Sequence, residues 1–292
     1  WRVVNMHLGD CLGGYNFYEK GYDTTLSEPR FIDHGEVTAN VFTEDSHILE
    51  INSKSGLYPL YMAYSIYRTR VKNSLFSVTN IEEEQRIWDK VVAENIFVIC
   101  KTPMAKSITK RTLIGFRKAK VNTRYFEDLI NQIKNKPEHF IKQVDKFVSE
   151  RTGIKNMKNM KFNAIVGNPP YQVMNDGAGA SASPVYNFFV DISKRLSPKH
   201  MSLIMPARWF AGGRGVDEFR KTMLADKQLS LIHDYFDARA CFSNVEIKGG
   251  IMYFRWDKGY YGNCHVVSHT PNGTVSIADR PLVMTGMDSF IR

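Results

Sequence analysis

Short apolar runs alternate with amphipathic helical patterns along most of this chain. Apolar runs lie at residues 46–51, 96–100 and 162–166, and helical patterns follow the first two at 57–70 and 104–116. This alternation is typical of proteins in which a largely parallel β-sheet is packed between helices. The sequence therefore predicts an α/β fold.

The remaining pattern is consistent with that fold. We predict further helices at 127–150, with an interruption at Pro137, and at 184–196 and 216–225, and further strands at 118–124, 200–205 and 229–235. Residues 245–256 read as a β-hairpin around Gly249 and Gly250, and the tail after Val266 reads as loop-rich because it contains Pro271, Asn272, Gly273 and Pro281.

Composition narrows the class of protein. The 292 residues are 43% hydrophobic and 24% charged, which excludes disordered, collagen-like and coiled-coil chains. The four cysteines form no CxxC pair, so a zinc ribbon is not expected, and a reducing compartment, the cytoplasm, fits. We predict no transmembrane helix, and we find no signal-peptide pattern. Because the chain begins at Trp1 in structured-looking sequence, we expect it to be a fragment of a longer protein.

Positive charge is concentrated in one part of the sequence. The chain carries a net charge of +9, yet residues 101–161 contain 16 Lys and Arg against 5 Asp and Glu, a net of +11. The other residues carry 23 basic and 25 acidic side chains. Such a stretch is either a solvated helical surface or a surface that faces the phosphates of a nucleic acid.

The segment that carries chemical information is Asn168-Pro169-Pro170-Tyr171, which directly follows the apolar run at 162–166 and Gly167. Two prolines fix the backbone and predict a rigid loop at the carboxyl end of a strand, where α/β proteins place their sites. The Asn168 side-chain carbonyl and a neighbouring main-chain carbonyl would accept hydrogen bonds from one planar amino group, and Tyr171 would stack on the ring that bears it. The alternative interpretation is an ordinary tight turn.

With this motif the chain resembles the DNA methyltransferases that act on the amino group of adenine, which share an [Asn/Asp/Ser]-Pro-Pro-[Tyr/Phe] motif. It is similar above all to the methylase modules of fused restriction–modification enzymes, from about residue 35 to residue 256. The resemblance implies a Rossmann-like fold that binds S-adenosylmethionine, with a mostly parallel seven-stranded sheet and helices on both faces. It also implies that the catalytic residues are Asn168, Pro169, Pro170 and Tyr171.

The same resemblance implies a cofactor site. In the family, an acidic residue begins a glycine-rich turn that binds the methionine part of S-adenosylmethionine. The matching segment here starts at Glu50 and ends at Gly56, with Lys54 in place of a glycine. The family's second acidic residue, on the cofactor ribose, corresponds to Cys100, and a third acid, near the cofactor adenine, corresponds to Asp128. The residues expected to bind the cofactor are Glu50, Asn52, Ser55, Gly56, Cys100 and Asp128.

For the substrate, the resemblance implies that Phe242 packs on a flipped-out adenine opposite Tyr171. Arg208 is expected to contact DNA phosphates, as are Arg214 and Arg239, and residues 172–183 are expected to form a mobile loop over the site. A base inside a duplex is inaccessible, so the adenine must leave the stack. The reaction is expected to need no metal and no covalent enzyme intermediate.

The expected organisation is a lead-in at 1–42, a catalytic domain at 43–265 and, at 266–292, a linker or the start of a truncated target-recognition region. The expected partner is double-stranded DNA, with no membrane, and the full-length protein is expected to carry fused nuclease or motor and target-recognition domains.

Three other functions remain open. A methyltransferase acting on protein glutamine uses the same Asn-Pro-Pro-Tyr chemistry, and an RNA methyltransferase is compatible with the sequence. The departures at Lys54 and Cys100 favour a third possibility, a catalytically weak DNA-binding module with a methyltransferase fold.

Overall fold

The structure is a computed structural model that describes residues 1–74, 80–153, 162–174, 182–213, 215–283 and 290. These residues form two compact units. The first comprises Trp1–Gly167 and Ile192–His200, and the second comprises Asn168–Asp191 and Met201–Arg292.

The described helices are α1 (Arg2–Cys11), α2 (Glu36–Val41), α3 (Leu57–Asn73), α4 (Ile81–Glu94), α5 (Pro103–Ile114), α6 (Leu129–Asn135), α7 (Pro137–Thr152), α8 (Tyr186–Arg195) and α9 (Asp217–Ala225). The described strands are β1 (Gly14–Tyr18), β2 (Thr25–Ile32), β3 (Ile48–Ser53), β4 (Ile96–Cys100), β5 (Asn122–Tyr125), β6 (Ala164–Gly167), β7 (Gln172–Met174), β8 (Ala182–Pro184), β9 (His200–Pro206), β10 (Leu229–Tyr235), β11 (Ile251–Asp257), β12 (Cys264–His269) and β13 (Val275–Arg280).

The first unit is built on parallel strands in the order β6-β3-β4-β5. All residues of β3, β4 and β6 are buried, which explains why β4 and β6 are continuous apolar runs rather than alternating ones. Strand β3 additionally buries the polar residues Glu50, Asn52 and Ser53. Helix α5 begins where it does because Thr102 accepts a hydrogen bond from the Ala105 backbone N–H at 3.1 Å and Pro103 occupies the first helical turn. The predicted α/β fold with a mostly parallel sheet is confirmed, but the sheet has nine described strands rather than the predicted seven.

The N-terminal residues are more structured than a lead-in suggests. Helix α1 and the antiparallel pair β1–β2 pack on α3, where the Tyr61 hydroxyl donates to the Gly13 carbonyl at 2.8 Å. His7 Nδ1 and the Tyr58 hydroxyl are also hydrogen-bonded, at 2.8 Å, and burial lowers the pKa of His7 to about 3. This histidine is therefore a neutral core residue.

The second unit contains strands in the order β13-β12-β10-β11-β9. Strands β10 and β11 are antiparallel, β10 and β12 are parallel, and β12 and β13 are antiparallel. The core of this unit includes Trp209, Met223 and Phe254, each with no exposed surface. The mixture of directions shows that the second unit is not a simple continuation of parallel βα repeats.

Two expectations about the second unit are wrong. Residues 245–256 do not form a hairpin, because Gly249 and Gly250 adopt left-handed φ values of 92° and 82° in a turn that precedes the single strand β11. The tail is also not loop-rich throughout, because β12 spans the predicted limit at residue 265 and turns into β13 through the bend at Pro271–Gly273. Strand β13 is exposed along most of its length, so it lacks the one-sided apolar pattern that identifies a strand.

Among the described residues, no helix is both long and apolar enough to cross a membrane. All four cysteines are buried free thiols.

Gly250 offers a test of the turn. A Cβ at this position would lie 2.2 Å from the Tyr235 carbonyl oxygen, whereas a Cβ at Gly259 would meet no atom within 4 Å, and both residues have left-handed φ values. We expect Gly250→Ala to lower the free energy of unfolding by at least about 2 kcal/mol more than Gly259→Ala, since only the first adds a clash to the backbone strain. Urea denaturation of both variants measures the difference, and equal losses would contradict this account.

Candidate active site

The carboxyl ends of the parallel strands in the first unit meet at one edge. The register pairs Ser53 with Cys100 and Cys100 with Tyr125, so β3, β4 and β5 end side by side. Strand β6 joins them, with Glu50 opposite Val166. This edge is the usual ligand-binding position of a parallel α/β sheet.

Glu50 is a buried carboxyl group on β3. It is 6% exposed, and its Oε2 atom has no hydrogen-bond partner among the described residues. Burial raises the pKa of Glu50 from 4.5 to about 8, although a hydrogen bond from Ser53 and the charge of Lys54 oppose the shift. A neutral buried carboxyl with an unused oxygen is a group that a bound cation would ionise.

Gly167, the last residue of β6, allows a close approach to Glu50. A Cβ on Gly167 would lie 3.4 Å from Glu50 Cγ and 3.8 Å from Glu50 Oε1. These distances are ordinary van der Waals contacts, whereas the φ of 154° at Gly167 is one that residues with a side chain rarely adopt. The sequence marked Gly167 only as the end of a strand.

The turn after β3 is held by backbone and hydroxyl contacts. Asn52 has a φ of 72°, and its buried Nδ2 has no partner among the residues that the structure describes. The Gly56 N–H donates to Ser53 Oγ at 3.2 Å, and Ser53 Oγ lies 3.2 Å from Thr109 Oγ1. Glu50 and Asn52 thus present an unused acceptor and an unused donor at the same strand end.

Gly56 occupies a position at which a side chain would not fit. It has a left-handed φ of 76°, and a Cβ there would lie 3.0 Å from the backbone of Thr109 on α5. The neighbouring Ser55 is exposed and its carbonyl accepts a hydrogen bond from Thr112 Oγ1 at 2.6 Å. Lys54 is exposed as well. Thr109, which supports this turn, carried no signal in the sequence because it reads as an ordinary helix residue.

Cys100 ends β4 beside Ser53. Its side chain is fully buried, Sγ lies 4.0 Å from Thr109 Oγ1, and burial raises the pKa of the thiol to about 12. The thiol is therefore neutral and presents no carboxylate oxygens to a ribose.

Asp128 lies at the start of α6, one strand further along. It is exposed, has a left-handed φ of 50°, and accepts a hydrogen bond from Asn131 Nδ2 at 2.7 Å. It follows β5 at the same edge of the sheet as Glu50 and Cys100.

In the second unit, the Asn-Pro-Pro-Tyr segment leads into a short antiparallel ribbon. Asn168 is half-buried and follows Gly167 directly. The Tyr171 carbonyl accepts a hydrogen bond from the Val185 N–H at 3.1 Å, and β7 then pairs with β8. The residues that follow the two prolines are thereby held by hydrogen bonds to residues 182–185. Residues 175–181 of the expected loop over the site, and Arg214, lie outside the described residues.

The hydroxyl of Tyr171 is buried, whereas the residue as a whole is half-exposed. Burial raises the pKa of Tyr171, with a smaller contribution from Cys241, while the Asn168 side chain acts in the opposite direction. Asn168 therefore lies close to this hydroxyl, although no hydrogen bond of ordinary geometry to it is formed by the described residues. The phenol stays protonated and leaves a neutral aromatic surface.

Phe242 lies in a turn that follows the short 3-10 helix Ala238–Ala240. Its N–H donates to the Ala238 carbonyl at 2.8 Å, and its own carbonyl accepts from Val245 at 3.0 Å. Cys241, the preceding residue, is buried and near enough to affect the Tyr171 hydroxyl. That Phe242 packs opposite Tyr171 therefore stays a prediction.

The predicted arginines differ in their surroundings. Arg208 is exposed in a 3-10 turn at Ala207–Ala211 and lies near the hydroxyl of Tyr186. Arg239 forms a two-point ion pair with Asp237, with Nε and Nη2 at 2.9 and 2.7 Å from Oδ2. Arg239, which is one of the expected phosphate contacts, is therefore already paired with Asp237.

A protein-family profile described as Eco57I restriction-modification methylase matches residues 94–242. An uncharacterized adenine-specific methylase of Mycoplasma pneumoniae (strain ATCC 29342 / M129 / Subtype 1) is 39% identical over 112 residues, which are 37% of this chain and 26% of the relative.

Two solved structures share the fold with a TM-score of 0.50 and 12% identity. One is described as a modification subunit of a type I restriction enzyme from Vibrio vulnificus YJ016, with 82% of this chain and 48% of the other covered. The second is the ATP-dependent type ISP restriction–modification enzyme LlaBIII bound to DNA, with 92% and 19% covered.

With these two structures the chain shares a Rossmann-like α/β fold. The chain belongs to the Eco57I restriction-modification methylase family. It spans about a quarter of the curated relative and half or less of the two solved chains.

The buried carboxyl of Glu50 makes a pH-dependent contribution to stability. Between pH 4.5 and about 8 the folded protein keeps the Glu50 proton while the unfolded chain loses it, so stability falls as the pH rises through this window. We expect Glu50→Gln, which cannot ionise, to lack this loss of roughly 3–5 kcal/mol. Urea denaturation at pH 5 and pH 8.5 tests this, with the exposed Glu127→Gln as the control. Parallel pH profiles of wild type and Glu50→Gln would contradict it.

Proposed function

We propose that this chain is the catalytic part of a DNA adenine-N6 methyltransferase of a restriction–modification system. The reaction transfers a methyl group from S-adenosylmethionine to a flipped-out adenine. The observation that carries this proposal is the Asn168–Tyr171 segment, which directly follows a buried parallel strand in a chain of this family.

The residues after β3 suit the charged methionine end of the cofactor. S-adenosylmethionine supplies an electrophilic methyl group on a positively charged sulfur. Glu50 offers an unused buried acceptor and Asn52 an unused buried donor, while Gly56 and the exposed Ser55 complete the turn. Cys100 fits the ribose less well because its thiol is neutral, and the exposed Asp128 remains the acid proposed for the adenine end.

The catalytic loop would orient the substrate. The Asn168 side-chain carbonyl and a main-chain carbonyl of the loop accept hydrogen bonds from the adenine amino group and leave its lone pair free to attack. Pro169 and Pro170 keep the loop rigid, and Tyr171 and Phe242 present aromatic surfaces to the base. Stacking offsets part of the cost of unstacking the base, which is a few kcal/mol.

The proposed partner is double-stranded DNA, with Arg208 as a phosphate contact. The basic surface of the first unit supports an anionic partner because Lys106, Lys110 and Arg111 on α5 are exposed. Part of the basic stretch is neutralised, as in the ion pairs of Arg117 with Asp89 and Arg124 with Glu150. We further propose that the full-length protein carries fused nuclease or motor and target-recognition domains.

Removing the Asn168 side chain tests the catalytic assignment. We expect Asn168→Ala to lower the rate of methyl transfer to DNA at least about a hundredfold, since the amino group loses an acceptor in the transition state. Transfer of tritiated methyl from S-adenosylmethionine to duplex DNA gives the rate, and circular dichroism confirms folding. Asn263→Ala, an exposed asparagine in the same unit, is the control. A wild-type rate for Asn168→Ala would refute the assignment.

Cofactor binding separates an enzyme from a DNA-binding module with a methyltransferase fold, which the Cys100 and Lys54 departures favour. We expect calorimetry to detect binding of S-adenosylmethionine, with weaker binding after Glu50→Gln because the positive sulfur and amino group lose their counter-charge. Absence of heat at millimolar cofactor would favour the binding module. In the transfer assay, label in RNA or in protein glutamine rather than in DNA would identify the other two candidate activities.

A further inference from the structure

One cleft of the second unit combines basic and aromatic side chains. It has a volume of about 530 Å³ and is lined by Ala207, Arg208, Phe210, Ala211, Gly212, Lys248, Gly249 and Phe290. The lining contains two cations and no carboxylate among the described residues. Arg208 and Lys248 are both exposed. We call this feature the Arg208–Lys248 cleft.

The main chain fixes the two cations relative to each other. The Ala207 N–H donates to the Gly250 carbonyl at 3.1 Å, and a Cβ on Gly249 would lie 3.3 Å from the Cα of Arg208. Lys248 and Arg208 therefore stem from backbone segments in direct contact. Such an arrangement limits the entropy lost when both side chains bind one ligand.

Aromatic rings form the floor. Phe210 and Phe290 are stacked with ring centroids 4.0 Å apart and an interplanar angle of 9°, and the Arg280 guanidinium lies 4.7 Å from the Phe290 ring centroid. Arg220 Nε donates to the Phe210 carbonyl at 3.0 Å. The floor is thus packed from several sides.

A neighbouring cleft of about 470 Å³ shares Lys248 and Gly249 but is chemically different. Asp237 and Glu246 line it together with Arg239. The Asp237–Arg239 ion pair satisfies the charge of that arginine locally. Of these two clefts, the Arg208–Lys248 cleft is therefore the one whose described lining carries positive charge without a carboxylate.

We infer that the Arg208–Lys248 cleft binds the sugar–phosphate backbone of the DNA substrate. This inference rests on the proposed function. Arginine and lysine beside a nucleotide-sized space provide a two-point and a one-point contact for phosphate oxygens, without competing carboxylates. Lys248, which drew no attention in the sequence, becomes a substrate-binding residue. Its position six residues after Phe242 puts the phosphate contact and the base-stacking residue on one loop.

The experiment compares two double variants of the full chain. In Arg208→Ala/Lys248→Ala the cleft loses both cations. In Lys227→Ala/Lys258→Ala the protein loses the same charge near the Leu229–Trp256 end of the β10–β11 pair, whereas Gly249 and Gly250 adjoin its Tyr235–Ile251 end. Fluorescence anisotropy with a labelled duplex of unrelated sequence is measured over a series of KCl concentrations.

For the cleft variant we expect the slope of log K against log salt to fall in magnitude by about two, since each lost phosphate contact removes about 0.9. The control variant should keep a slope near that of wild type. Equal slopes for the two variants would overturn the inference. If circular dichroism shows that the cleft variant is unfolded, Arg208→Lys, which keeps the charge, takes its place. A reduced slope in Arg208→Lys would then overturn the inference as well.

Failure of the inference and failure of the proposed function are distinguishable. If DNA is not methylated but the cleft variant alone loses salt dependence, the cleft still binds a nucleic-acid backbone while the methyltransferase proposal falls. If DNA is methylated and both slopes are unchanged, the enzyme stands and the cleft is refuted.

Discussion

The parallel register of β3 with β4 and β6 is the constraint on which the proposed cofactor site depends. It aligns the ends of these strands, so that Ser53 and Cys100 lie side by side and Glu50 lies against Gly167. A shift of this register would separate both pairs of residues. The positions of the turns that follow these strands depend on this alignment.

Burial also sets the protonation states of the groups at these strand ends and in the Asn168–Tyr171 segment. The pKa values of Glu50, Cys100 and Tyr171 are all raised, chiefly by desolvation. Of the three, only Glu50 titrates near physiological pH, because burial brings its pKa to about 8. A cationic ligand at this carboxyl would therefore displace a proton, whereas the thiol and the phenol remain neutral.

In the second unit, close main-chain contacts at glycines have the role that strand register has in the first. Gly250 packs against the Tyr235 carbonyl and Gly249 against the backbone of Arg208. These contacts fix the loop that carries Phe242 and Lys248. A turn of this kind requires a left-handed backbone, which explains why two adjacent glycines occupy it. The same pair of glycines is typical of a hairpin turn, and for this reason the sequence pattern wrongly predicts a hairpin here.

The sequence by itself determined the α/β class and strands such as β4 and β10, whose bounds it predicted to the residue. Local pattern was sufficient there because apolar runs act within a few residues. The catalytic role of the Asn168–Tyr171 segment stays a prediction. The sequence pattern missed β13, which is exposed, and the structure of the first 42 residues. Only the tertiary structure decided the raised pKa of Glu50, the proximity of Cys241 to Tyr171 and the pairing of Arg208 with Lys248, since desolvation and charge clustering depend on residues distant in the chain.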